Sequence, residues 1–299
     1  MNFLPMSKRL QIVSALVEGC SLRSITRMVG CSINTVTKLL EDLGPICEEY
    51  HDQHVRNVRA ERVQADEIWA FCYAKDKNLP ESMRGQPGVG SVWTWTAIDA
   101  DSKLMVSWYV GGRDAGCAIR FMRDLAGRLG NRVQLTTDGH AVYERAVESS
   151  FGWNVDYAML VKQYGEPREK ESRYSPCECI GAVKTPVIGR PIKEDICTSH
   201  VERQNLTMRM GMRRFTRLTN GFSKKLANHR AAVALHFMHY NFCRIHKTIR
   251  VTPAMEAGLA DHVWELAELV GLMEAKERAA VGTEANKRGP YQKRAKISD

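Results

Sequence analysis

The sequence contains no apolar run that approaches the roughly 20 residues a helix needs to span a bilayer. Its first residues, MNFLPMSKR, lack the apolar stretch of a signal peptide. Cysteine occurs nine times, an odd number, at scattered positions, and this is not the pattern of a disulfide framework. We therefore expect a cytosolic protein with reduced thiols and no membrane association.

Acidic residues are absent from one long segment. Residues 203–250 hold eleven Lys or Arg and no Asp or Glu, whereas the whole chain has a net charge of +9. The rest of the chain is thus close to neutral. A basic segment of this kind is typical of proteins that bind a polyanion, so we expect a nucleic-acid partner. The alternative is a solvated helical face, although such faces usually mix both signs.

The chain has 299 residues, which is long enough for two or three folded units. Its N-terminal segment predicts three short helices. Apolar residues recur at helical spacing over 10–17, a second helix over 21–29 stops at Gly30, and a third covers 33–43. Candidate N-caps are Ser7 and Ser32. This order predicts a helix-turn-helix unit, whose last helix enters the DNA major groove; a three-helix bundle that does not bind DNA is the alternative. The predicted contacts to bases or phosphates are Asn34, Thr35, Thr37 and Lys38.

The central part of the chain predicts an α/β unit in which strands and helices follow one another. β-branched and aromatic residues indicate strands, and polar segments with Pro or Gly indicate loops. The predicted strands are 62–73, 92–98, 103–110, 133–138 and 155–161, and the predicted helices are 114–129, 141–149 and 200–212. Residues 164–195 are long, polar and rich in Pro and Gly near their end, which predicts a surface loop or lid.

Three carboxylates occupy chemically suggestive positions in this unit. Asp66 lies inside an otherwise burial-prone strand, Asp138 ends a strand and Glu202 lies near a helix start. A buried carboxylate is unfavourable unless it is paired or binds a metal, so our hypothesis is that the three meet around divalent metal. A strand slip of one residue would put Glu67 in the place of Asp66. Asp138 could also be a turn residue, and Glu202 could complement the helix dipole.

The order of three strands, helix, strand, helix, strand and helix resembles the ribonuclease-H-like fold, and this resemblance implies an α/β domain with a mixed sheet. The positions of Asp66, Asp138 and Glu202 resemble the acidic triad of the retroviral-integrase-like, or DDE, transposases. The strings HVERQNLTMR at 200–209 and YNFCRIHKT at 240–248, followed by TPAM at 252–255, resemble those of bacterial insertion-sequence transposases. The resemblance covers about 66–259.

This resemblance implies metal-dependent cutting and joining of transposon ends. Two Mg²⁺ ions, with Mn²⁺ as a substitute, would lie about 4 Å apart, activate the attacking oxygen and neutralise the leaving one. Asp66 would bridge both ions, while Asp138 and Glu202 would each complete one. Water would be the nucleophile for cleavage and the freed 3′-hydroxyl for joining. The implied partner is double-stranded DNA, both terminal repeats and target, bound by a homo-oligomer of two or more chains. The implied location is the bacterial cytoplasm, at the nucleoid when DNA is bound.

Further DNA contacts are expected along the basic segment. Asn205 and Arg209 follow Glu202 at i+3 and i+7 on one helix face, and Arg213 continues it. A long helix predicted over 222–242 extends the basic track. The predicted DNA-contacting residues of this segment are Asn205, Arg209, Arg213, Lys224, Lys225, Arg244, His246 and Lys247. His200 either assists the site or caps its helix.

The expected organisation has five parts. Residues 1–44 form the helix-turn-helix domain, 45–61 a connector, 62–242 the catalytic domain with a loop insertion at about 164–195, 243–283 a helical C-terminal region, and 284–299 a basic disordered tail. Two other functions remain open: a DNA-binding regulator with an inactive ribonuclease-H-like domain, and a nuclease that cuts without joining. A zinc site at Cys177, Cys179, Cys197 and His200 is a weaker alternative because the spacing is uncommon.

Overall fold

The computed structural model describes residues 4–165, 179–216 and 220–285. The helices are α1 (Met6–Val17), α2 (Leu22–Val29), α3 (Ile33–His54), α4 (Ala115–Arg128), α5 (Val142–Phe151), α6 (Ser199–Gly211), α7 (Leu226–Met238), α8 (Pro253–Glu256) and α9 (Leu266–Ala285). The strands are β1 (Arg62–Cys72), β2 (Gly90–Asp99), β3 (Met105–Gly111), β4 (Val133–Asp138), β5 (Val155–Tyr164) and β6 (Cys179–Ile188). In these residues we find no helix with the length and apolar character needed to cross a membrane.

The strands of the described residues form one mixed sheet in the order β3-β2-β1-β4-β5-β6. β1, β2 and β3 are consecutive and antiparallel, whereas β4 and β5 run parallel to β1 and are reached through α4 and α5. Parallel neighbours need such crossover connections. β6 returns antiparallel to β5. This topology confirms the predicted α/β class with a mixed-sheet, ribonuclease-H-like core.

Helices cover both faces of the sheet, and β1 contributes side chains to each. Val63 and Ala65 belong to the apolar cluster that includes residues of α4 and α5. Ile68 belongs to the opposite cluster, with Val201 of α6 and Phe237 of α7. Successive strand residues point to opposite faces, so the even-numbered positions near Ile68 face α6.

The three N-terminal helices are present, with a glycine turn after the second. Gly30 adopts a left-handed conformation, with φ of 64°, and the Ser32 hydroxyl accepts a hydrogen bond from the backbone N–H of Thr35. Ser7 lies inside α1 rather than at its cap, which is Pro5. The DNA-binding role of these helices stays a prediction.

The third helix does not stop near Leu43 but continues to His54 as part of α3, so the expected connector is largely helical and continuous with it. Pro45 is accommodated inside the helix. Gly44 has a different role, because a Cβ at this position would lie 2.3 Å from Ala231 of α7. The glycine permits close packing of α3 against α7, and this packing joins the N-terminal helices to the rest of the core.

The segment predicted as a loop over 164–195 contains the edge strand β6. Its glycines and prolines favoured a loop, but an edge strand pairs on one side only and tolerates proline. Pro186 is such a residue and lies opposite Ala158 of β5. Residues 166–178 of the predicted loop and 286–299 of the predicted tail lie outside the described residues, whereas Glu284 and Ala285 are helical.

The helix predicted over 222–242 is shorter at its start. α7 begins at Leu226, after Lys225 in an extended conformation, and ends in a π-helical turn over His239–Cys243. The buried side chain of Asn241 in this turn accepts a hydrogen bond from the Met105 N–H and donates one to the Met105 carbonyl, both at 2.9 Å. Part of the string 240–248 therefore fastens α7 to β3.

Three buried histidines predict loss of stability in acid. Burial lowers the pKa of His229 and His236 to about 3 and that of His51 well below its usual value. The unfolded chain binds these protons below about pH 6.5 and the folded chain does not. Stability is therefore complete above pH 6.5 and falls, by up to about 1.4 kcal/mol per pH unit and group, as pH decreases.

Urea denaturation of the wild-type protein and of His229→Gln at pH 7.5, 6.5 and 5.5 measures this effect. We expect the variant to lose less stability than the wild type between pH 6.5 and 5.5. Parallel pH dependences for the two proteins would contradict a neutral His229 in the folded state.

Candidate active site

Asp66 lies in the middle of β1 on the face that α6 covers. Its Oδ2 accepts a hydrogen bond from the Asn205 amide at 2.8 Å, and its Oδ1 accepts one from the Glu67 backbone N–H at 2.8 Å. Burial, with the nearby charges of Glu67 and Asp138, raises the pKa of Asp66 to about 7. Both of these donors are neutral, so they do not balance a negative charge at this position.

Asp138 lies beside Asp66 because β1 and β4 are parallel neighbours in a defined register. Ala65 is opposite Thr137, so the next residue of each strand is at the same level of the sheet. Asp138 ends β4, and its Oδ1 accepts a hydrogen bond from the His140 N–H at 3.0 Å. The structure therefore brings Asp66 and Asp138 together, although 71 residues separate them in the chain.

Glu67, the alternative to Asp66, points to the other face of the sheet. Its side chain is 1% exposed and accepts hydrogen bonds from Arg113 Nε at 2.7 Å and from the Tyr143 hydroxyl at 2.8 Å. Arg113 also lies over the Trp93 ring, 4.5 Å from its centroid. Glu67 is thus neutralised by a cation, whereas Asp66 is the member of the pair that lines the open cleft.

Glu202 lines the same cleft from the first turn of α6. Both of its carboxylate oxygens contact Lys162 Nζ, with Oε1 at 2.5 Å, and Oε1 also accepts a hydrogen bond from the Thr198 hydroxyl at 2.6 Å. Among the described residues, the acidic group with ligand oxygens within 4.8 Å of one another consists of Asp66, Glu67 and Asp138. Glu202 shares the cleft but is held outside this group.

The cleft has a volume of about 520 Å³. Its lining residues are Asp66, Arg113, Asp138, Gly139, His140, Leu160, Val161, Lys162, Tyr164, Thr198 and Glu202. α6 is fixed against β1 by Gln64, whose Oε1 accepts hydrogen bonds from the backbone N–H groups of His200 and Val201. This contact sets the position of the helix turn that carries Glu202.

The donor set of the cleft fits a hard divalent cation. Mg²⁺ prefers oxygen ligands and is commonly bound by one or two carboxylates, and Asp66 and Asp138 supply them side by side. The raised pKa of Asp66 indicates a buried carboxyl group that lacks a compensating cation. The alternative zinc site has no comparable support. Cys197 contacts Ser199, His200 contacts Lys103, and Cys177 lies outside the described residues.

The predicted DNA-contacting residues of α3 lie at its N-terminal end. Asn34 and Lys38 are exposed, and Thr35 and Thr37 are half-buried. Lys38 forms an ion pair with Asp42 one turn further along the helix. These positions are open to a partner, and the structure does not assign them one.

The predicted contacts of the basic segment differ in exposure. The predicted contact between Asn205 and DNA is corrected by the structure. Asn205 is 5% exposed, and its amide group forms hydrogen bonds with Asp66 and Thr96. It therefore positions a carboxylate and is not placed to contact DNA. Arg209 and His246 are half-buried. The exposed members of the set are Arg213, Lys224, Lys225, Arg244 and Lys247.

The sequence interpretation missed several side chains that shape the cleft. The missed residues are Gln64, Arg113, His140, Tyr143, Lys162 and Thr198. Lys162 had a detectable signal, since it is a cation that follows the apolar residues at 158–161 in a predicted strand. Arg113 and Tyr143 gave no such signal, because only the fold brings them to Glu67.

Asp66→Asn is expected to stabilise the metal-free protein. The pKa of Asp66 rises from 3.8 to about 7 in the folded chain, so ionisation of Asp66 reduces stability progressively as pH rises between these values. Asparagine removes that penalty, and we expect a gain of about 2–4 kcal/mol at pH 8 and a smaller gain at pH 5.

The measurement is chemical denaturation in EDTA at both pH values. Asp156→Asn is the matched control of opposite sign, because a hydrogen-bonded ion pair with Arg132 lowers the pKa of Asp156. A lower stability of Asp66→Asn at pH 8 would contradict the uncompensated buried charge.

Comparison with known proteins gives weak likenesses. No protein-family model matches the chain, and no curated protein matches it. Among solved structures it is similar to a chain of the simian T-cell lymphotropic virus intasome in complex with PP2A regulatory subunit B56 gamma, at 13% identity over 85% of this chain and 76% of that chain, with a TM-score of 0.39. It is also similar to a chain of the piggyBac transposase synaptic complex with hairpin DNA, at 9% identity over 98% and 77%, with a TM-score of 0.42. A third likeness is to the Mos1 mariner paired end complex with Mn, at 14% identity over 52% of this chain and 59% of that one, with a TM-score of 0.22. At these TM-scores the likenesses carry no argument about activity, which must come from the residues of the chain itself.

Proposed function

We propose that this protein is a DNA transposase of the DDE type, which binds the ends of a mobile element and cuts and joins DNA with divalent metal. The observation that carries the proposal is the register of β1 and β4, which sets Asp66 beside Asp138 in a ribonuclease-H-like sheet. Glu202 on α6 faces the same cleft. Three carboxylates from two strands and a following helix are the arrangement that the sequence resemblance implies.

The residues proposed to hold the metal are Asp66, Asp138 and Glu202. When bound, divalent metal would supply Lewis-acid activation of the attacking oxygen and stabilisation of the leaving one. Asn205 orients Asp66 through its amide, and Gln64 fixes the α6 turn that carries Glu202. These neutral contacts hold the carboxylates in place without neutralising them.

The proposed reaction is an in-line displacement at phosphorus. In the cleavage step water attacks the phosphate and the 3′-oxygen leaves. In the joining step the freed 3′-hydroxyl loses its proton and attacks a target phosphate, and the 3′-oxygen of the target strand leaves and takes up a proton. Neither step needs a covalent bond between protein and DNA, so the proposal assigns no nucleophilic side chain. The cleft of about 520 Å³ opens to solvent through half-buried residues, so its carboxylates are accessible to a DNA strand.

The proposed DNA partner is supported by the charge distribution. Residues 203–250 carry eleven basic and no acidic residues, and several of the basic ones are exposed. A second cleft, of about 470 Å³, is bordered both by Arg23 of α2 and by Arg213 after α6. The N-terminal helices and the basic segment thus adjoin, which favours one DNA molecule in contact with both.

Joining two ends further requires two or more copies of the chain.

Asp138→Asn tests the proposed chemistry. The substitution keeps the size of the side chain and removes its charge, so loss of metal-assisted stabilisation of several kcal/mol should lower the cleavage rate by about a thousand-fold or more. DNA binding should be unchanged, because Asp138 is not part of the basic surface. The measurement is Mg²⁺-dependent nicking and joining of the element's own terminal DNA, with binding measured in parallel.

The matched control is Glu148→Gln, a charge-removing change at an exposed position of α5, which should keep full activity. Retained cutting by Asp138→Asn would remove Asp138 from the site and with it the proposal. Cutting without joining in the wild type would favour a nuclease instead.

The proposed recognition role of α3 is tested by Asn34→Ala. If Asn34 reads a base edge, the preference for terminal DNA over random DNA should decrease by about 1–3 kcal/mol, while binding to random DNA is kept. Gln53→Ala, at an exposed position near the other end of α3, is the control and should leave the preference unchanged. An unaltered preference in Asn34→Ala would dismiss Asn34 as a reading residue. A point substitution is needed because deletion of residues 1–44 would also remove Gly44, which packs closely against Ala231 of α7.

A further inference from the structure

Lys162 has a position in the cleft that the proposed chemistry does not explain. It lies on β5, two residues before the strand ends, and its Nζ contacts both carboxylate oxygens of Glu202. Thr198 donates a further hydrogen bond to the same carboxylate. The charge of Glu202 is therefore balanced, and both of its oxygens are engaged by protein groups.

The charges of Asp66 and Asp138, by contrast, are not balanced by their hydrogen-bond partners. Asp66 accepts hydrogen bonds from an amide and a backbone N–H, and Asp138 accepts one from the backbone N–H of His140. These donors are neutral and leave the negative charge of the two aspartates in place. The cleft thus contains Asp66 and Asp138 side by side, whereas Glu202, paired with Lys162, is not in the group of ligand oxygens within 4.8 Å of one another among the described residues.

Lys162 can readily exchange Glu202 for another anionic partner. The side chains are 31% and 40% exposed, and ion pairs between partly exposed groups contribute little net stability. Lysine is a point charge on a flexible stem, without the rigid fork that fixes arginine to a carboxylate. A DNA phosphate that enters the cleft would offer Lys162 another anionic partner. Movement of Lys162 to that phosphate would release Oε2 of Glu202, while Oε1 would keep only the hydrogen bond from Thr198.

We propose that Lys162 couples metal binding to DNA binding: it holds Glu202 away from the metal ligands in the free protein and transfers to a DNA phosphate when the strand enters the cleft. This inference rests on the proposed function, because it takes Glu202 as a metal ligand. Lys162 is here a positioning residue that acts through Glu202. Of the acidic residues that line the cleft in the described part of the chain, only Asp66 and Asp138 then offer uncompensated charge to a cation, so metal binds weakly until DNA is present.

Thermodynamic linkage makes this coupling measurable without catalysis. If DNA raises the affinity for metal by some factor, metal raises the affinity for DNA by the same factor. Removing the charge of Lys162 should strengthen metal binding to the free protein and should reduce the factor by which DNA raises metal affinity. Lys162→Arg retains a cation for Glu202 and should keep metal binding to the free protein weak.

The experiment titrates the full-length protein with Mn²⁺, followed by electron paramagnetic resonance of the free ion, with and without a 30-base-pair DNA duplex. For the wild type we expect DNA to raise Mn²⁺ affinity about tenfold, the change that a coupling of about 1.4 kcal/mol gives. Lys162→Met should bind Mn²⁺ about tenfold more tightly than the wild type without DNA, and DNA should add little. Lys162→Gln serves the same purpose if the methionine variant fails to fold.

Lys184→Met is the matched control. Lys184 lies on the paired strand β6 and contacts the backbone carbonyls of Lys193 and Glu194 rather than Glu202. Its replacement removes one positive charge from the same pair of strands and should leave Mn²⁺ affinity at the wild-type value. An equal gain in Lys184→Met would attribute the effect to net charge and overturn the role of Lys162.

Two further variants separate failure of this inference from failure of the proposed function. Glu202→Gln in the Lys162→Met background should abolish the gain in Mn²⁺ affinity. If Asp66→Asn loses Mn²⁺ binding while Lys162→Met binds as the wild type does, the coupling role is overturned and the metal site stands. If Asp66→Asn binds Mn²⁺ as tightly as the wild type, the metal site is refuted, and the coupling role with it.

Discussion

The parallel pairing of β1 with β4 sets the position of the acidic groups in the cleft. With Ala65 opposite Thr137, Asp66 and Asp138 lie at one level of the sheet. A shift of this pairing by one residue would turn Asp66 to the other face and replace it with Glu67. The apolar residues that flank Asp66 on β1 prevent this shift, because Val63, Ala65 and Ile68 are buried in separate clusters on their own faces.

The acidic residues around the cleft differ in whether a cation neutralises them. Glu67 has Arg113 and the Tyr143 hydroxyl, and Glu202 has Lys162 and the Thr198 hydroxyl. Asp66, by contrast, has neutral donors and a pKa raised to about 7. The fold therefore concentrates uncompensated negative charge at the point where the two parallel strands meet. That arrangement lowers the stability of the metal-free chain, and it is the arrangement that a divalent cation would relieve.

Local signals predicted most of the elements, and the failures have physical causes. β-branched and aromatic residues located β1 to β5. The helix predicted over 114–129 is α4, and the side chain of its N-cap, Asp114, accepts a hydrogen bond from the Cys117 N–H. The third helix was predicted to end at 43, but Gly44 lies within α3 and lets this helix approach α7. Pro186 looked like a loop residue, but it lies on a sheet edge. In both cases a residue that disfavours an element in isolation is compatible with it through a neighbour distant in sequence.

Local pattern and composition were sufficient to predict β1 to β5 with the helices between them, the basic character of 203–250 and the three acidic candidates. The sequence favoured Asp66 but left Glu67 as the alternative, because strand register depends on partners elsewhere in the chain. It also placed Asn205 on DNA, whereas the fold buries its amide against Asp66. Which charges are neutralised, and by which cations, was decided only by the tertiary structure, because those contacts join residues from different strands and helices.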